Sequence, residues 1–106
     1  MKLELLYFDG CPSHERLYSR LEQLLREAGV SPPIELRRVE SPEAAERERF
    51  LGSPSLRIDG WDVEPGADER TDFGLKCRLY RAGAGASGLP PDAWISAALA
   101  RAAERT

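Results

Sequence analysis

The feature that most constrains this chain is its opening run, Leu3-Glu4-Leu5-Leu6-Tyr7-Phe8, in which only Glu4 is polar. A strand with one wet face alternates apolar and polar residues. This one is apolar on both faces, which suits a strand covered on both sides, as in a parallel sheet between helices. Asp9-Gly10 ends it. Pro12 then suits the first turn of a helix, which places Cys11 at or near the N-cap with its thiol exposed.

The rest of the chain extends this pattern. Leu17, Leu21, Leu24, Leu25 and Ala28 recur at helical spacing, with Arg16, Arg20, Glu22 and Arg26 elsewhere on the wheel, giving an amphipathic helix of about four turns. Gly29 suits its C-terminal stop, and Pro32-Pro33 prevents continuation. A second strand is expected over 34–39. Ser41-Pro42-Glu43 starts a second, strongly charged helix with a capping serine, a proline and an acid in the first turn, and this helix is expected to run to about Phe50. Gly52-Ser53-Pro54 precedes a short strand, 55–58, ending at Asp59-Gly60. Residues 60–75 read as an irregular acidic loop, Cys77-Arg78-Leu79-Tyr80 as a fourth strand, and 83–88 as a flexible Gly/Ala/Ser loop. Pro90-Pro91-Asp92 opens a last helix with Trp94, Ile95, Ala98, Leu99 and Ala102 on its buried side. The predicted order is β-α-β-α-β-β-α in one domain over 1–106: an α/β fold with a four-stranded mixed sheet and helices on both faces. The first two strands are parallel with a right-handed crossover, and the last two are antiparallel.

Composition narrows the function. With 42% hydrophobic and 31% charged residues the chain is an ordinary globular domain. A net charge of −3 argues against nucleic acid as a partner, because affinity for a phosphate backbone comes from clustered cations. Glu4 interrupts a run already too short for a signal-peptide core, and no stretch approaches the roughly 20 apolar residues of a membrane helix. A cytoplasmic protein with no membrane partner is expected. Two cysteines and one histidine do not supply a disulfide framework or a structural zinc site. No metal and no cofactor are expected.

The element order, with cysteine at the first strand-to-helix junction and Ser-Pro before the third strand, resembles the thioredoxin fold over nearly the whole chain. More narrowly, Tyr7-Phe8-Asp9-Gly10-Cys11-Pro12, Gly52-Ser53-Pro54 and Cys77-Arg78-Leu79-Tyr80 are similar to a group of small bacterial thioredoxin-like proteins, some of them labelled alkylmercury-lyase-like. The resemblance implies that Cys11 matches the attacking cysteine, and that Pro54 matches the proline that is cis in that family and lies beside the thiol. The motif departs from Cys-x-x-Cys: here it is Cys11-Pro12-Ser13-His14, so a disulfide cycle within the motif is impossible.

The chemistry-bearing residues each have two readings. A helix N-terminus favours the thiolate of Cys11 over the thiol; alternatively Cys11 is an inert capping residue. His14, one turn along, is either a base or positive neighbour for Cys11 or a solvent-facing side chain. Asp9 is a proton acceptor or simply turn chemistry. Cys77 is expected to be structural, a small buried hydrophobe sharing a face with Leu79 at the edge remote from Cys11. Pairing with Cys11 would require the loop 60–76 to shift this strand. Trp61 is a lid, a contact surface or core filler.

Three functional readings follow. In the first, Cys11 attacks a disulfide in a protein or small molecule, with His14 and Pro54 completing the catalytic set, and an external thiol resolves the mixed disulfide. Pro12, the Ser53 backbone and Trp61 would then contact an extended substrate. In the second, the chain is a non-catalytic binding module, with homodimerisation through a sheet edge or Trp61. The third is soft-metal or organomercurial handling by thiolates.

Overall fold

A computed structural model describes residues 1–83 and 85–105. Its centre is a four-stranded mixed sheet of β1 (Leu3–Tyr7), β2 (Ile34–Arg38), β3 (Ser55–Ile58) and β4 (Trp61–Asp62), in the spatial order β2-β1-β3-β4. The first strand lies in the middle. It pairs in parallel with β2, Leu3 opposite Ile34 and Tyr7 opposite Arg38, and antiparallel with β3, Leu3 opposite Ile58 and Leu6 opposite Ser55.

The helices explain why β1 is apolar on both faces. Helices α1 (Ser13–Ala28) and α3 (Asp92–Arg105) cover one face, where Leu3, Leu5, Leu56 and Ile58 meet Leu17, Leu21, Ile95 and Leu99. On the other face Leu6 packs with Val39, Phe50 and Ala45 of α2 (Pro42–Glu48). Glu4, pointing to the α2 side, is buried but paired: Arg37 Nη1 donates to its Oε2 at 2.7 Å and also reaches Glu48. The one polar residue of the central strand is therefore neutralised by the neighbouring strand and helix.

Local signals placed the helix ends. Ser41 Oγ accepts the Ala44 amide at 3.0 Å, and Gly29 takes the left-handed conformation, φ 75°, that closes α1. Pro12 is the N-cap of α1, which leaves Cys11 next to it as expected. Two expectations need correcting. Helix α2 stops at Glu48 because Arg49 turns left-handed, which sends Phe50 into the core instead of along a helix. Ala28 is exposed.

The largest departure is the fourth strand. Asp59 and Gly60 both have positive φ, 54° and 85°, the geometry of a two-residue hairpin whose twist matches its strands. The chain thus turns straight back, and Trp61–Asp62 takes the sheet position expected for 77–80, with Ile58 opposite Trp61. After one last bond, the Val63 amide to Leu56 O at 3.1 Å, the chain leaves the sheet. It passes through a 3₁₀ turn at Ala67–Glu69 and reaches a separate antiparallel pair, β5 (Tyr80–Ala82) and β6 (Gly85–Ser87). Part of the stretch expected to be a loop, 83–88, is therefore strand; Ala84 lies outside the described residues. Among the described residues no helix is long and apolar enough to cross a membrane.

Candidate active site: two thiols on one backbone edge

Beyond β1 the chain makes a tight turn, with the Cys11 amide donating to the Phe8 carbonyl at 3.3 Å, and enters α1. This carries Cys11 to the Ser53 end of β3. The Cys11 thiol donates to the Ser53 carbonyl at 3.5 Å, and the residue is only 3% exposed. The expectation of an exposed Cys11 sulfur is thus overturned. Phe50 through Leu56 are all buried, and the segment after the acidic loop is bonded to them, the Gly74 amide donating to the Phe50 carbonyl at 3.0 Å.

That segment also overturns the expectation for Cys77. Ser53 and Cys77 form a parallel bridge: the Ser53 amide donates to Lys76 O at 2.8 Å, and the Arg78 amide donates to Ser53 O at 2.9 Å. Cys77 is exposed, not buried, and it lies beside Cys11, not at the remote edge. The cause is the hairpin at Asp59-Gly60, which fills the fourth sheet position and leaves 63–79 free to return over Ser53. The backbone groups of Ser53 expected to hold a substrate are engaged by residues 76 and 78.

Side chains lock the segment in place. The Arg78 guanidinium is buried. It donates from Nη1 to Asp62 Oδ2 at 2.7 Å and Ser55 Oγ at 2.9 Å, and from Nη2 to Asp62 Oδ1 at 2.9 Å and Glu64 Oε1 at 3.2 Å. It also lies over the Tyr80 ring, 4.4 Å from the centroid. The Tyr80 hydroxyl donates to Pro54 O at 2.5 Å. Burial pushes the Tyr80 phenol well above its ordinary range, so it remains a donor. Gly52 permits the close approach. Its φ of 126° is one that side chains rarely adopt, and a Cβ there would lie 3.0 Å from both Arg78 Cβ and the Lys76 carbonyl oxygen.

The two thiols shift in opposite directions. Burial pushes the Cys11 thiol up. The Cys77 thiol, the backbone and side chain of Ser13, and the Ser53 side chain outweigh it, so the Cys11 pKa falls below the ordinary thiol value. Cys77 moves the other way, raised first by its hydrogen bond to Cys11 and then by burial and the Cys11 charge. Cys11 is therefore the thiol of the pair that ionises the more readily. Ser53 Oγ is buried without a hydrogen-bond partner among the described residues, and ionisation of Cys11 would give it an acceptor.

The other candidate residues fall elsewhere. The Ser53–Pro54 peptide is cis, and its proline is buried against the Tyr80 hydroxyl. Pro12 is exposed at the head of α1. His14 stacks on Tyr7, centroids 4.1 Å apart, with Nδ1 3.1 Å from the Cys11 carbonyl oxygen, so its ring hydrogen-bonds the backbone of Cys11. Asp9 pairs with Arg38 at 3.2 Å. Trp61 is 63% exposed opposite Ile58, at the end of the sheet away from Cys11, and takes no part in this site. Arg78 and Gly52 were missed by sequence reasoning. The signal for Arg78 was a cation next to a cysteine, downstream of Asp62 and Glu64 in one loop. Among the described residues no group of three or more His, Cys, Asp or Glu side chains is arranged to hold a metal ion.

No protein-family model matches the chain, and no curated protein or solved structure matches it either.

Proposed function

We propose that the chain is a thioredoxin-like protein that carries out thiol–disulfide exchange, with Cys11 as its thiolate and Cys77 as the thiol that pairs with it. The observation that carries the reading is the placement of Cys77 beside Cys11 by two backbone hydrogen bonds to Ser53. The sheet order β2-β1-β3-β4, with only the first pair parallel and Cys11 at the first strand-to-helix junction, supports the family part of the reading.

The pair changes the form of the reaction. A single thiol needs an external thiol to resolve its mixed disulfide. Here Cys77 supplies the second sulfur in cis, and the net reaction converts a disulfide and the protein dithiol into two thiols and a Cys11–Cys77 disulfide, or the reverse. Thiols and disulfides of proteins or small molecules are the matching partners, in the cytoplasm.

Equilibration in buffers of graded glutathione to glutathione-disulfide ratio tests this. The expected product is one intrachain disulfide, detected as the loss of two hydrogens in the intact mass and reversed by dithiothreitol. Cys11→Ser and Cys77→Ser each abolish it. If both thiols persist under oxidising ratios in the folded protein, the exchange reading fails and a non-catalytic binding module takes its place.

A further inference from the structure

The two sulfurs differ in access. Cys11 is 3% exposed, whereas Cys77 is exposed. Displacement at a disulfide requires the incoming sulfur to approach one sulfur in line with the bond and to expel the other. The direction of approach is therefore set by which sulfur faces solvent.

We propose, on the basis of the exchange reading above, that partners join the protein at Cys77, so that the mixed disulfide forms on Cys77 and Cys11 is the sulfur expelled. In the oxidised protein an external thiolate attacks Cys77 Sγ. A new bond forms between the partner sulfur and Cys77, the Cys77–Cys11 bond breaks, and the electron pair leaves on Cys11. A second thiol then attacks the partner sulfur of the mixed disulfide. This releases a partner disulfide and leaves Cys77 as a thiol after it takes a proton from solvent. Two thiols are oxidised and the protein disulfide is reduced. A low-molecular-weight disulfide re-forms the protein disulfide by the reverse steps, with the Cys11 thiolate attacking Cys77 in its mixed disulfide and expelling the external thiol.

Three features of the site favour this order. The expelled Cys11 thiolate is received by Ser13 at the head of α1 and by Ser53, and a thiol that ionises more readily leaves faster. The buried Ser53 hydroxyl, otherwise without a partner among the described residues, gains one when Cys11 leaves as an anion. The Ser53 pairing and the Arg78 cluster hold Cys77 in reach of Cys11 for the return attack. The substrate class is thus a thiol able to reach an exposed strand-like segment, with no need to enter the covered Cys11 site.

The test uses the wild-type protein oxidised to its Cys11–Cys77 disulfide. One equivalent of glutathione is added, the reaction is quenched within its first turnover by acid, free thiols are capped with a maleimide, and the peptides are mapped by mass. The expected result is glutathione on Cys77 and maleimide on Cys11, with an excess of at least about tenfold over the opposite arrangement. Glutathione on Cys11, or on both equally, overturns the proposal while leaving exchange by the pair intact. If the oxidised protein holds no Cys11–Cys77 disulfide at all, the exchange reading falls first and this order of attack falls with it.

Discussion

Replacing Arg78 with methionine is expected to destabilise the protein by about 3–5 kcal/mol, the cost of leaving buried charges without their partner. The Arg78 side chain is 1% exposed, and the carboxylates it pairs, Asp62 and Glu64, are 14% and 15% exposed. Methionine fills most of the volume but gives these carboxylates nothing. Glu64 retains Arg70 at 2.9 Å, whereas Asp62 loses two hydrogen bonds at once. The same residue anchors the Cys77 segment, so its loss also frees that segment from Ser53 and exposes Cys11. Urea denaturation at neutral pH measures the first effect, and the rate of Cys11 alkylation measures the second. The triple variant R78M/D62N/E64Q, which removes the stranded charges, is expected to recover part of the stability. A loss below about 1 kcal/mol in R78M would mean that the cluster behaves as an exposed ion pair, against its burial.

Phe50→Ala is the second large effect, expected at about 3–5 kcal/mol for truncating a fully buried aromatic. Phe50 is 0% exposed, and its core on the α2 side is small: Leu6, Val39 and Ala45, with Phe8, Ala44 and Leu75 at its edge. Few neighbours are available to collapse into the cavity, which places the cost high in the range. The damage also reaches the site. The Phe50 amide donates to Ala45 O at 2.8 Å, and its carbonyl accepts the Gly74 amide at 3.0 Å, so it ties α2 to the start of the Cys77 segment. Chemical denaturation checks the size. A value near 1 kcal/mol would show that α2 and the 74–78 segment close over the gap.

Much of this arrangement was legible in the residues. The doubly apolar run 3–8, the Leu17-Leu21-Leu24-Leu25 stripe and the Ser41-Pro42-Glu43 start are local signals, and local chemistry decides whether a strand or a helix forms. The mixed sheet with helices on both faces followed from them. What failed was long-range. Cys77-Arg78-Leu79-Tyr80 has the alternation of a sheet strand, and nothing in its own composition says that Trp61-Asp62 reaches the sheet first. That outcome depends on Asp59 accepting a positive φ, a cost that Lys2 and Arg105 help offset by hydrogen-bonding its carboxylate. Once the hairpin closes, Cys77 arrives at Ser53, and the burial of Cys11 and the exposure of Cys77 follow together. The place of Trp61 has the same cause: the hairpin sets it, not the acidic residues around it, and its 63% exposure rules out core filler.

Cys11 and Cys77 share one site, in which Cys11 ionises below the ordinary thiol value and Cys77 above it. Thiolate absorbance of the reduced protein as a function of pH tests this directly, taken as a difference from the C11S/C77S double variant to remove tyrosine ionisation. Interacting thiols lose their protons in two separated steps. A first step below the ordinary thiol value of about 8.5 and a second above it are expected. Cys77→Ala should raise the remaining step, because a hydrogen bond to the ionised sulfur is lost, and Cys11→Ser should remove the low step. Two protons lost together near 8.5, unchanged in either single variant apart from amplitude, would contradict it.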